Sequence, residues 1–233
     1  GASARVLADL VYADATVDDE ASECLRGLPE LVGVTRSSTG AGNAIRGSAA
    51  RRCWGESELR ERFGTLDLWV GAASFSQLNT EVASAMMATA AAFLPSCPRL
   101  WELYCGLGGL GLAVAPQGEL WGCDSVPTSL ELARRNAAER GFRAQYECRD
   151  LGLGVPPDWP RPDAVIVNPP RRGLDRAVRD VLPSLRVPVV YMSCSAASFA
   201  QDAAAWAREG LQLRNSLAFD MLPQTPHVEL LGL

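Results

Sequence analysis

Leu100-Trp101-Glu102-Leu103-Tyr104-Cys105-Gly106-Leu107-Gly108-Gly109-Leu110-Gly111-Leu112 decides the fold class. A short apolar run ends in four glycines, and an alanine-rich apolar stretch follows. That order predicts a strand, a tight loop and a helix start. Glycine lets the backbone pass close to a ligand. The first turn of the helix behind it offers N–H groups with no intrahelical partner.

Downstream the chain alternates. Glu119 to Cys123 reads as a strand ending in Asp124. Ser125 is placed to cap the next helix, Pro127 suits its first turn, and Gly141 ends it. Arg143 to Cys148 is a third strand, closing at Asp150. Asp163 to Val167 is a fourth, closing at Asn168-Pro169-Pro170, and a helix with Arg176 and Arg179 follows. Val187 to Met192 is a fifth, closing at Ser193-Cys194-Ser195. Ala197 to Glu209 is helical and stops at Gly210; Leu211 to Phe219 and Val228 to Leu233 are the last strands. The alternation predicts an α/β fold with a mostly parallel sheet covered on both faces. Ligands of such sheets bind at the carboxyl ends of the strands.

Upstream, Thr80 to Leu94 is an Ala/Met-rich helix, with Thr80 as N-cap and Pro95 past its end. Residues 4–12, Leu31 to Arg36, Arg51 to Glu56 and Leu66 to Val70 read as short strands. Asp18 to Leu28 reads as a helix, and Ser37 to Ala50 as a polar loop or hairpin tip. Arg36, Arg46, Arg51 and Arg52 gather near that loop, as a basic patch or as a solvated hairpin.

The 233 residues suit one medium domain with a smaller partner, and a 48% apolar content is ample for a core. No apolar run approaches the roughly 18 residues of a membrane span, so no membrane partner is expected. The first residues, Gly1-Ala2-Ser3, carry no initiator Met and no secretory pattern, which suggests a natural start upstream. Net charge is −5 and every basic residue is Arg. Acidic balance weighs against a nucleic-acid partner without excluding one, because binding depends on local patches. Seven irregularly spaced cysteines, no C-x-x-C and one His argue against a zinc or iron–sulfur site in this chain. They fit reduced thiols in the cytoplasm.

Gly106-x-Gly108-x-x-Gly111 followed by Asp124 fits the dinucleotide fingerprint, in which a carboxylate holds ribose hydroxyls. It marks a nucleoside-bearing cofactor but does not separate NAD(H) from S-adenosylmethionine. Asp150 or its backbone can meet an adenine amino group. Asn168-Pro169-Pro170-Arg171 argues against a dehydrogenase: a rigid turn presents an amide able to read the polar edge of a planar base. Cys194 falls at a strand end and helix start, where amide dipoles lower a thiol pKa; an inert buried cysteine is the alternative. Glu229 opens an otherwise apolar strand, and a carboxylate buried there without a partner is costly. His227 reads as a structural hydrogen-bonder and Cys105 as structural.

Together these residues resemble the S-adenosylmethionine-dependent RNA uracil-5-methyltransferases. Phe75-x-Gln77-x-Asn79 matches that family's F-x-Q-x-N, and Leu103-Tyr104-Cys105-Gly106-Leu107-Gly108 its L-Y/F-C-G-x-G. Asn168-Pro169-Pro170-Arg171-Arg172-Gly173 matches [DN]-P-P-R-x-G, and Tyr191-Met192-Ser193-Cys194 matches Y-x-S-C. Asp220 to Glu229 matches D-M-F-P-H-T-x-H-x-E. The match runs from about residue 70 to the end. The Asn-Pro-Pro form resembles the bacterial branch acting on 23S ribosomal RNA. That branch carries an N-terminal iron–sulfur cysteine cluster, which has no counterpart here. Glu102 stands where Asp is usual, Ser195 where Asn is usual, and Gln224 where His is usual.

The resemblance implies a Rossmann-like, seven-stranded S-adenosylmethionine methyltransferase fold over residues 73–233. It reads residues 1–72 as the rear of the family's central domain, a small α+β segment. It implies a monomer acting on RNA, with 23S rRNA as the substrate and tRNA as the alternative. Catalysis falls to Cys194 as nucleophile at uracil C6, Glu229 as base at C5 and Asn168 on the uracil edge. Gln77, Tyr104, Gly106, Gly108, Asp124, Asp150 and Asn168 would hold the cofactor. Arg171 and Arg172 would meet the RNA backbone or order the turn. The rival readings are an amino-methyltransferase on a purine, and a non-catalytic RNA-binding assembly factor.

Overall fold

A computed structural model describes residues 5–12, 20–38, 50–72, 74–77, 79–94, 97–114, 118–225 and 227–233. The chain forms two compact units, Gly1–Ser76 and Gln77–Leu233.

The first unit holds β1 (Val6–Tyr12), α1 (Glu20–Cys24), β2 (Leu31–Ser38), β3 (Arg51–Gly55), β4 (Glu58–Phe63) and β5 (Leu66–Gly71). Strand β2 lies between β1, parallel to it, and β3, antiparallel. The hydroxyls of Thr35 and Ser37 donate to the two oxygens of Asp9 at 2.7 and 2.8 Å, tying β2 to β1. Ser37 and Ser38 therefore extend the strand instead of opening the loop. Strand β4, unforeseen in the sequence, makes a hairpin with β5 around Gly64, whose φ of +61° suits glycine. Helix α1 is shorter than expected. Arg36 pairs opposite Arg51 across β2 and β3. Arg46 lies outside the described residues.

The second unit starts with α2 (Thr80–Phe93). Asn79, rather than Thr80, caps it: its side-chain oxygen accepts from the Val82 N–H at 3.1 Å. Pro95 lies outside the described residues. Then come β6 (Arg99–Leu103), α3 (Gly109–Val114), β7 (Glu119–Asp124), α4 (Pro127–Glu139), β8 (Arg143–Cys148), a 3₁₀ turn (Leu151–Leu153) and β9 (Ala164–Val167). The chain finishes with α5 (Arg176–Leu185), β10 (Val189–Ser193), α6 (Ala196–Arg208), β11 (Ser216–Phe219) and β12 (Glu229–Gly232). These seven strands form one sheet in the order β11-β12-β10-β9-β6-β7-β8. Only β12 runs against its neighbours.

Strand β9 is apolar and buried along its length, and β10 is buried throughout; β6 is buried from Leu100 onward, Glu102 included. Trp101, Leu103, Val165, Val167 and Tyr191 join Val178, Leu182, Phe199 and Trp206 of α5 and α6 in the core. Ser125 does not cap α4. Val126 is the N-cap residue without a side-chain bond, Pro127 opens the helix, and Gly141 follows its end with φ +68°. Strand β11 starts at Ser216, five residues later than its pattern suggested. Chain order reverses at β6, which sends the chain to β7 on one side and receives β9 on the other. In sheets of this kind the ligand crevice lies at such a switch point, here the carboxyl ends of β6 and β9.

Candidate active site

The glycine stretch forms the floor of this crevice. Tyr104, Gly106 and Gly108 all take left-handed backbone, with φ +59°, +52° and +77°. For Tyr104 that is an uncommon conformation held by its surroundings. The Gly106 N–H donates to Asp124 Oδ2 at 2.8 Å, and the Val126 N–H donates to Asp124 Oδ1 at 2.9 Å. Each Asp124 oxygen is thus fixed by one backbone donor and can accept another from a ribose hydroxyl. A Cβ on Gly106 would meet nothing within 4 Å, so this face is open. A Cβ on Gly108 would stand 2.6 Å from the Tyr146 hydroxyl, so Gly108 also lets β8 approach the loop.

Beneath the loop Glu102 is buried, with its carboxyl held by the Leu110 and Gly111 N–H groups at the start of α3. Burial pushes it up to about 8, against those donors. Its Oε2 and the Tyr146 hydroxyl are the buried side-chain oxygens without a protein hydrogen-bond partner among the described residues. The open Gly106 face, the paired Asp124 oxygens and the helix start beyond them fit an adenosine-bearing cofactor. Asp150 stands two strands further along. It caps the 3₁₀ turn, accepting from the Gly152 N–H at 2.8 Å, and remains exposed. Gln77 is half-buried at the approach to α2.

Asn168 follows β9, with its N–H on the Leu103 carbonyl at 3.2 Å. The turn it starts is tied at its far end by Asp202 of α6. That buried carboxylate accepts from the Leu174 N–H at 2.9 Å and from the Tyr191 hydroxyl at 2.8 Å. Gly173, at φ +87°, leaves room for Asp202. Cys194 follows β10 directly. Ser195 caps α6, accepting from the Ser198 N–H at 3.3 Å.

Glu229 opens β12, and Ser193 faces Leu230 across the β10–β12 pair. The register brings Cys194 beside Glu229, while Asn168 ends the adjacent strand on the other side. The Cys194 thiol is not depressed as its helix-start position suggested. Burial raises it first and the Glu229 charge adds to this. Arg171 opposes both by charge and by hydrogen-bonding the sulfur. Burial raises Glu229 itself to about 6, with Arg171 pulling it down. Arg171 therefore engages the Cys194–Glu229 pair, a role its sequence position did not reveal. Arg172 is exposed and ion-pairs with Asp175 at 3.1 Å. His227 is exposed, and its backbone N–H donates to Thr225. Cys105 is buried and burial pushes its thiol well up.

Asp175 and Asp202 carried no sequence signal, because their partners lie 71 and 28 residues away for Tyr104 and Leu174. Among the described residues no His/Cys/Asp/Glu group could hold a metal ion, and no helix is long and apolar enough to cross a membrane.

The fold is shared with solved structures. The Pyrococcus abyssi tRNA (uracil-54, C5)-methyltransferase in complex with S-adenosyl-L-homocysteine superposes with a TM-score of 0.75 at 27% identity, over 98% of this chain and 56% of that one. The Methanocaldococcus jannaschii tRNA m1G37 methyltransferase, at 14% identity, shares the fold with a TM-score of 0.59, over 98% of this chain and 73% of that one. The fold is the Rossmann-like one of S-adenosylmethionine-dependent methyltransferases. No protein-family model matches the chain. A 23S rRNA (uracil(747)-C(5))-methyltransferase of Salmonella arizonae is 37% identical over 180 residues, 75% of this chain and 48% of the relative. Its Escherichia coli counterpart is 37% identical over 182 residues, with the same two shares. Over three quarters of its length the chain is similar to these RNA uracil-C5 methyltransferases. It spans about half the length of the curated relatives it matches.

Proposed function

We propose that the protein transfers a methyl group to C5 of a uridine in RNA, and that the RNA is 23S ribosomal RNA. The observation that carries the reading is the β9–β10–β12 rim, where neighbouring strand ends bring Asn168, Cys194 and Glu229 to one crevice. The ribosomal substrate follows the 37% relatives. The tRNA reading has the 27% structural relative in its favour.

Uracil C5 is a poor nucleophile. The Cys194 thiolate adds to C6, and the C5–C6 π electrons move toward O4, which the Asn168 amide can stabilise as charge develops. Bound S-adenosylmethionine supplies an electrophilic methyl for C5. Glu229 then takes the C5 proton, and the electron pair left behind expels Cys194 from C6. Arg171 favours the thiolate over the thiol by its charge. Asp124 and the glycine stretch hold the adenosine end. The uridine must leave its stack to reach the rim, so a loop or bulge suits the site. A cytoplasmic setting fits the free cysteines among the described residues. We read the protein as a monomer.

Methyl-labelled S-adenosylmethionine, offered with unmodified 23S rRNA and tRNA transcripts, tests the reading. It predicts label in 5-methyluridine of 23S rRNA. Label in tRNA alone would select the tRNA reading, and label in a methylated purine would overturn both.

A further inference from the structure

Tyr104 is the first residue after β6, and its ring does not end at the cofactor loop. Its hydroxyl donates to Asp175 Oδ2 at 3.1 Å and accepts from the Asp175 N–H at 3.1 Å. Asp175 stands just before α5, at the far end of the turn that starts with Asn168. It occupies the N-cap position yet makes no side-chain bond to its own helix. An Asp there normally caps, at a gain of about 1 kcal/mol. Its carboxylate instead reaches Tyr104 and Arg172, with Arg172 at 3.1 Å from Oδ1. The Tyr104 backbone sits at φ +59°, a conformation a bulky side chain adopts only when held. Two reciprocal hydrogen bonds from a residue 71 positions away do the holding. On the other flank Leu174 is fixed to Asp202, so the end of the turn is pinned on both sides.

We propose that the Tyr104–Asp175 pair is a latch that sets the spacing between the cofactor loop and the Asn168–Arg172 turn. Tyr104 and Asp175 are positioning residues. The latch fixes how far the methyl donor's cradle stands from the uracil-facing side chains. The inference rests on the uracil-methylation reading. It also leaves the Tyr104 hydroxyl without a proton to donate to the cofactor, since that proton goes to Asp175.

The two halves of the reaction separate the latch from a general structural role. Addition of Cys194 to C6 and exchange of the C5 hydrogen with solvent use only groups on the turn side. Methyl transfer joins both sides. The experiment compares wild type, Tyr104→Phe and Asp175→Asn for S-adenosylmethionine affinity, for tritium release from [5-³H]uridine RNA without methyl donor, and for methyl transfer. Both variants are expected to keep cofactor affinity and tritium release near wild type. They should lose methyl transfer by about tenfold to a hundredfold, the size of effect a small misplacement produces. The double variant should be no worse than either single, since one interaction is removed. Unchanged methyl transfer, or a parallel fall of all three readings, would overturn the latch. A wild-type protein with neither tritium release nor uridine methylation would overturn the uracil reading itself and the latch with it.

Discussion

Glu102 and Gly111 occupy one space: a Cβ on Gly111 would overlap the Glu102 Oε2. The carboxyl reaches from β6 to the first turn of α3 and takes its N–H donors there. The long acid and the missing side chain are therefore two halves of one fit beneath the cofactor loop. Gly111→Ala should lower stability by about 1–3 kcal/mol through overpacking. Adding Glu102→Asp should restore part of that loss. Denaturant midpoints of the two singles and the double measure the coupling.

The same carboxyl makes stability depend on pH. Its proton is held more tightly in the folded state, up to about 8, than in an unfolded chain near 4.5. A raised folded value contributes stability that is complete below pH 4.5 and is lost as pH rises through about 8. Glu102→Gln should flatten the decline across that window. Thermal midpoints between pH 5 and 9 check it; parallel curves for the two proteins would refute it.

Asp124 ties the glycine loop to β7 with one oxygen and the start of α4 with the other. Its replacement by Ala should weaken S-adenosylmethionine binding by about tenfold to a hundredfold, the range for losing charged hydrogen bonds. Titration calorimetry reads this directly.

Arg171 is the cation that opposes burial at Cys194 and Glu229. Arg171→Ala should move the pH profile of Cys194 alkylation to higher pH, and Arg171→Lys should recover part of the shift. An unchanged profile would return Arg171 to an RNA-contact role.

In the proposed mechanism Glu229 must be ionised to take the C5 proton, and burial raises that group to about 6. The elimination step should therefore accelerate as pH rises through about 6 and level off above it. Glu229→Gln should abolish that dependence and let the covalent enzyme–RNA species accumulate. Quench experiments between pH 5 and 8 follow both.

Much of the frame is legible in the sequence because strand-end motifs are local. The glycine stretch, Asp124 and Asn168-Pro169-Pro170 each mark the end of a strand and the start of the next element within a few residues. The α/β alternation then predicts a mostly parallel sheet without long-range information. The features that escape the sequence depend on partners far away in the chain. Asp175 looks like an ordinary helix cap until Tyr104 is seen bonded to it. Asp202 looks like one polar residue of an amphipathic helix until Leu174 and Tyr191 are found on it. The direction of the Cys194 shift is hidden because helix position is a local cue. Burial and a carboxylate from a strand 35 residues later outweigh it. The different caps at Thr80 and Ser125 are instead local choices between neighbours: Asn79 accepts from the Val82 N–H at the first, and Val126 takes the N-cap position without a side-chain bond at the second.

The proposed mechanism turns on a covalent bond from Cys194 to uracil C6. Fluorine at C5 leaves no proton for Glu229 to remove, so the adduct cannot resolve after methyl transfer. The direct measurement is intact-mass and peptide mapping of the protein after reaction with S-adenosylmethionine and a 5-fluorouridine-containing RNA. The expected result is a denaturant-stable protein–RNA adduct mapped to Cys194 and absent from Cys194→Ala. Methylation of uridine by Cys194→Ala at the wild-type rate, or an adduct on another residue, would contradict it.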